Sequence, residues 1–220
     1  MTVRTLWVPA LLAVLLATGC GTVNAVRPLA KGRSSIAFSL GGPVAEVAGA
    51  DMPMPYAVVR YRHGLSDNTS VYAGGHLLMA AFGVLGFDAG VTHQLIGQRG
   101  ALPAVGVGAG LCGLIEPGGE SLLLPQAELV GSYLIGGRSL TYFGVQSMFQ
   151  TSRDPYFVLA PFIGEELRLG RRFSLSLESK WYAPGHETKP RNIDYRIPIA
   201  GKGALGFVLG ANYHMGGWYE

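Results

Sequence analysis

Apolar and polar residues alternate singly along much of this chain. In 204–215, Leu205, Phe207, Leu209, Ala211, Tyr213 and Met215 share one parity, while Ala204, Gly206, Gly210, Asn212 and His214 hold most of the other. In 173–182, Phe173, Leu175, Leu177 and Trp181 oppose Ser174, Ser176, Glu178, Lys180 and Tyr182. Phe143, Val145 and Phe149 oppose Tyr142, Gly144, Gln146 and Gln150, and Leu85, Phe87, Ala89 and Val91 oppose Asp88, Thr92 and Gln94. A period of two is that of a strand with chemically different faces, not of a helix. With breaks at Gly, Pro, Asn, Asp and Ser, it predicts strands over 34–40, 55–64, 70–79, 84–94, 103–114, 124–135, 139–150, 157–168, 173–183 and 204–214. Strands of about ten residues, one per roughly twenty residues of chain, suit a barrel that crosses a membrane.

Alternation does not say which face is inside, and composition supplies that. Charged residues make up 14% of the 220-residue chain against 49% hydrophobic, with 33 glycines. A soluble ligand-binding barrel turns its polar face to water and needs many Lys and Glu there; here that face carries Gly, Ser and Ala. The reverse arrangement, apolar face to lipid and small or paired polar residues in a narrow lumen, needs little charge. The expected fold is therefore all-β: a single antiparallel up-and-down transmembrane β-barrel of about 10 strands, within a range of roughly 8–12. The low charge and high apolar content also exclude a disordered chain, and no glycine-every-third repeat suggests collagen.

The connections fit a barrel. Those at 41–54 and 184–203 are long and those at 115–123 and 151–156 intermediate, while Gly136-Gly137-Arg138 and Gly170-Arg171-Arg172 read as tight turns. Short turns on one side and longer loops on the other are the membrane-barrel pattern. The apolar run LLMAAFGVLGF, Leu77 to Phe87, is too short for a membrane helix. It reads as a hairpin turning at Gly83, or alternatively as a buried helix. Tyr56, Tyr61, Tyr133, Tyr156, Phe157, Trp181 and Tyr182 lie near expected strand ends, as interfacial aromatics would.

The first residues, MTVRTLWVPALLAVLLATGC, have one basic residue, an apolar run from Leu6 to Ala17 and small residues before Cys20, which is the pattern of a secretory signal. The order Leu16-Ala17-Thr18-Gly19-Cys20 resembles a bacterial lipoprotein signal. That resemblance implies acylation of Cys20 and, with Gly21 rather than an acidic residue following, outer-membrane sorting. An ordinary cleaved signal with an incidental cysteine is the alternative. The expected division is 1–19 removed signal, 20–33 lipidated linker, 34–216 barrel and 217–220 tail. Across 34–216 the architecture resembles the small bacterial outer-membrane β-barrel proteins, which implies a Gram-negative cell envelope, an amino terminus in the periplasm and lipid as the principal partner. The chain ends GANYHMGGWYE, with Trp218-Tyr219 ahead of a final Glu220.

Candidate chemistry is sparse. On the expected inner face lie Arg60, Arg62, His76, Asp88, Glu128, Glu178, Lys180, Asn212 and His214. Buried charges persist when paired, so these read as a network plugging a narrow lumen, or alternatively as the wall of a polar permeation path. The expected role is structural, adhesive or weakly permeable, and the expected state a monomer. The competing reading is a lipid-anchored lipocalin-like barrel that binds a small apolar ligand. An enzyme is not expected; an outer-membrane lipid hydrolase or acyltransferase would need Ser, an acid and one of His63, His76, His93, His186 or His214 to converge, and no Gly-x-Ser-x-Gly motif is present. Gly106-Val107-Gly108-Ala109-Gly110 lacks the context of a dinucleotide loop. No spacing suggests a metal site or a cofactor. Loss of the signal removes Arg4 and no acid, lowering a formal net charge of +3 by one, which leaves no nucleic-acid footprint. Cys112, the other of 2 cysteines, sits among small apolar residues and reads as packing. The loop 184–203, rich in charge and proline, is the expected surface for contacts outside the membrane.

Overall fold

The computed structural model describes residues 25–47, 50–53, 56–81, 83–119, 121–150, 156–183 and 202–216. Its strands are β1 (Ser34–Val47), β2 (Ala50–Pro53), β3 (Tyr56–Ser66), β4 (Thr69–His76), β5 (Leu85–Ile96), β6 (Ala104–Ile115), β7 (Ser121–Ile135), β8 (Ser139–Gln150), β9 (Tyr156–Arg168), β10 (Phe173–Tyr182) and β11 (Ala204–Met215), with one helical turn, α1 (Leu77–Ala81). From β3 onward each strand pairs antiparallel with the next. β1 closes the ring: Ser34 to Gly41 pair with β3, and Ser34 to Pro43 pair with β11. Ten strands form the closed barrel, and β2 stands outside it, paired only with Val44 to Val47 at the upper part of β1.

Closure satisfies every strand edge within the wall, which a bilayer core demands because it offers no water to unpaired backbone groups. The side chains divide by parity. On β10, Phe173, Leu175 and Leu177 are 57%, 49% and 53% exposed, whereas Ser174, Ser176, Glu178 and Lys180 between them are at most 3% exposed. The same division places Ile36, Phe38, Leu85, Leu129, Phe143, Ile163 and Phe207 outside. Exposed apolar and buried polar residues are the informative exceptions to ordinary protein surfaces; here they are the rule.

The two ends differ. The near end carries the start of β1, the end of β11 and the turns at 67–68, 97–103, 136–138 and 169–172. The three-residue join of β7 to β8 passes through Gly136 (φ 57°) and Gly137 (φ 64°), left-handed positions that glycine adopts without steric cost. The far end carries 77–81, 83–84 and 116–119, and its connections at 151–155 and 184–201, which include most of the expected contact loop, lie outside the described residues.

Three expectations change. The stretch 41–54 contains a hairpin of upper β1 with β2, where a loop was expected; its residues lack the strict apolar alternation that marks the wall. The strand expected over 70–79 stops at His76, and Leu77–Ala81 form α1 with no buried residue. Leu, Met and Ala favour a helix once sheet pairing ends, so the connection is neither a hairpin at Gly83 nor a buried helix. Finally, within the expected linker 20–33, the described residues Ala25, Val26, Pro28 and Leu29 are buried inside the barrel.

Candidate functional site: the filled lumen

The even-numbered residues of β3 to β11 and the odd ones of β1 point inward, so each strand delivers a side chain to the lumen about every 7 Å. Large polar groups fit because glycines sit opposite them. A Cβ at Gly90 or Gly110 would stand 2.5 or 2.6 Å from the Tyr72 hydroxyl, and one at Gly164 would strike the Tyr142 ring.

At mid-height Arg60 forms an ion pair with Asp88, whose other oxygen lies 3.8 Å from His76 Nε2. The Arg60 guanidinium stacks on Tyr72, 4.5 Å from the ring centre. Gln126 Nε2 donates to the Tyr72 hydroxyl (3.3 Å), Gln146 Nε2 donates to Gln126 Oε1 (3.0 Å), and Lys180 Nζ donates to Gln146 Oε1 (3.1 Å). Lys180 also pairs with Glu178 at 3.0 Å. One connected network thus crosses the barrel from β4 and β5 to β10. Glu128 lies beside it, filling the space that a Gly108 side chain would take.

Nearer the turns, Ser174, Glu166, His214 and Asn212 form a second cluster. Ser174 Oγ donates to Glu166 and lies 3.0 Å from His214 Nε2, and Asn212 Nδ2 donates to both Glu166 and Ser174 at 3.3 Å. Serine, histidine and acid do meet here, but not in the order of a hydrolase. Glu166 faces the same imidazole nitrogen as the serine, at 3.5 Å, whereas a catalytic acid orients the opposite one. The whole cluster is buried within the wall. His63 and His93 point outward at the rim, bonded to Ser34 and Thr69, and His186 lies outside the described residues.

The near mouth is stopped by the segment Ala25–Ala30. Arg27 donates to Ser132 Oγ (2.9 Å), the Ser132 carbonyl (3.2 Å) and Gln98 Oε1 (2.7 Å). Arg62 Nη2 donates to the Arg27 carbonyl at 2.5 Å, and the Leu29 amide donates to Ser70 Oγ at 2.7 Å. Val26 completes an apolar cluster with Val130, Leu140, Tyr142 and Phe162. One void of about 20 Å³ lies between Ala25, Ser39, Arg60, Arg62, Glu166 and Asn212, room for about one water, and the space by Tyr72, Gln126, Glu128 and Gln146 is essentially closed.

All nine residues singled out in the sequence point into the lumen. Arg60, Asp88 and His76 meet in one group, Glu178 and Lys180 in another, and Asn212 and His214 in a third; Arg62 instead holds the amino-terminal segment. Tyr72, Gln126, Gln146, Glu166 and Ser174 belong to the same networks and were missed, although strand parity would have found them. Arg27 lies outside any strand, and no pattern pointed to it. In the body of the lumen Arg27, Arg60, Arg62 and Lys180 face Asp88, Glu128, Glu166 and Glu178, so these charges balance. Among the described residues no three His, Cys, Asp or Glu gather to hold a metal, and Cys112 is a free, half-buried thiol.

No protein-family model matches the chain, and no curated sequence does. Solved structures similar to it include OmpT with loop L8 deleted, an outer membrane protein of Vibrio cholerae (12% identity, 73% of this chain, TM-score 0.36), of which the chain spans 53%. Also similar are the translocator domain of the autotransporter NalP from Neisseria meningitidis (12% identity, 96% of this chain and 97% of that one, TM-score 0.46) and Ail, the attachment invasion locus protein of Yersinia pestis (14% identity, 84% and 99%, TM-score 0.28). The barrel assignment rests on the chain's own strand pairing and not on these likenesses.

Proposed function

We infer that the chain spans the bacterial outer membrane as a closed, non-conducting barrel with a structural or adhesive role, its near end in the periplasm and its far-end loops outside. The observation that carries this reading is the inversion of faces: among the described residues, a continuous exterior of exposed Phe, Leu and Ile surrounds an interior of buried, paired charge. A lipocalin-like ligand barrel would need the opposite, an apolar cavity inside and charge outside. Short near-end turns and the longer far end support the orientation, and the β1–β2 hairpin adds to the far-end surface beyond the closed wall.

In planar bilayers the purified full chain is expected to give no large, stable single-channel current; such a current overturns the closed-lumen reading. Acylation at Cys20 is part of the same proposal. Radiolabelled palmitate is expected to label the wild-type chain and not Cys20→Ser; equal labelling of both, or of neither, contradicts it.

A further inference from the structure

The outer wall carries a marked depression, a groove of about 510 Å³ lined by the outward Pro103, Val105, Leu129, Gly131, Phe143 and Val145, with lumen-facing residues between the strands at its base. Gly131, an outward position of β7, lies in its floor. Gly131 pairs with Val105 on β6 and Phe143 on β8, and the Phe143 ring leans across it, 2.7 Å from where a Cβ would stand, so the furrow is bounded by that ring on one side and Val105 on the other. Its lining is almost wholly apolar.

The near end of this furrow is positively charged. Arg138 lies in the turn joining β7 to β8, and Arg99 in the connection leading into β6. Tyr133 donates to the Ala101 carbonyl at 3.0 Å, pinning that connection against β7. Both arginines are exposed, and among the described residues neither guanidinium has a hydrogen-bond or ion-pair partner. The nearby Glu165 carboxylate is already taken by Ser139 and Thr141. Arg138 precedes Phe143 by five residues, about 17 Å along a strand and about 13 Å in depth at the usual tilt. That depth is about half of the roughly 25 Å apolar band of such barrels, the thickness of one leaflet.

We propose that this furrow and its two arginines form a binding site for an anionic phospholipid of the periplasmic leaflet, one acyl chain lying between Val105 and the Phe143 ring and the phosphate between Arg99 and Arg138. The site rests on the membrane-spanning reading above and adds a headgroup preference to it. Arginine suits phosphate through its planar fork of donors.

The test is native mass spectrometry of the delipidated full chain in detergent, titrated with dioleoyl phosphatidylglycerol or dioleoyl phosphatidylcholine. The wild type is expected to bind the anionic lipid at least about tenfold more tightly, as two arginines facing an anionic headgroup should provide. Arg99→Gln with Arg138→Gln is expected to reduce that lipid to the level of phosphatidylcholine, and Val105→Trp, which fills the furrow, to weaken both. Heat-dependent gel mobility identifies the variants that fold. Equal affinity for the two lipids, or a preference that survives both sets of substitutions in folded protein, overturns the site. A chain that needs detergent but shows no preference fails only here; a chain soluble without detergent, tested as Cys20→Ser, fails the membrane-spanning reading as well.

Discussion

At the residue scale the account depends on buried charge being neutralised at short range. Asp88 is the clearest case: it is 3% exposed and answers both Arg60 and His76. Asp88→Ala leaves the Arg60 guanidinium buried opposite an empty position, and losing one partner of such a pair costs about 3–5 kcal/mol. Urea titration of the protein folded into liposomes is expected to show that loss, and a change below about 1 kcal/mol would mean that water already screens the pair. Parity in the sequence revealed which charges face inward, because a strand repeats every two residues wherever it lies. It did not reveal which charges meet. Arg60 reaches Asp88 across β4, and Lys180 is linked to Gln126 through Gln146, relations set by the register between strands and not by any one strand's pattern.

At the scale of elements, the wall was legible and the pieces that leave it were not. All ten barrel strands were foreseen to within a few residues at most boundaries, because each carries its own apolar face. α1 and β2 carry no such face, and the segment Ala25–Ala30 is short, mixed in polarity and recognisable only by what it meets inside. Its seat includes Gly64, whose missing side chain lets the backbone at Leu29 and Ala30 lie directly against β3. Gly32 donates to the Gly64 carbonyl at 2.8 Å, and the Gly64 amide donates to Arg33 at 2.9 Å. Gly64→Val is expected to unseat the segment while sparing the barrel. The readout is protease cleavage near Arg27, rising severalfold over wild type at unchanged heat-dependent gel mobility; cleavage equal to wild type would show that the segment does not depend on this contact.

At the scale of the whole molecule, one inversion organises the rest. A scarcity of charge that would leave a soluble protein poorly clothed becomes sufficient when the outside meets lipid. Buried ionised groups then balance one another in the lumen, and others sit at the ends of the barrel, as Arg99, Arg138, Arg171 and Arg172 do, all exposed at the near end. The glycines are the other half of that economy, since a barrel of ten strands is too narrow for large polar side chains on every strand at once. The direct test places a small fluorophore in turn at positions 175, 177, 176 and 178 of β10, on a background with Cys20→Ser and Cys112→Ser, in vesicles containing brominated lipid. Positions 175 and 177 are predicted to be strongly quenched and 176 and 178 weakly; quenching at neither pair, or stronger quenching at 176 and 178, would contradict a barrel whose apolar face meets the membrane.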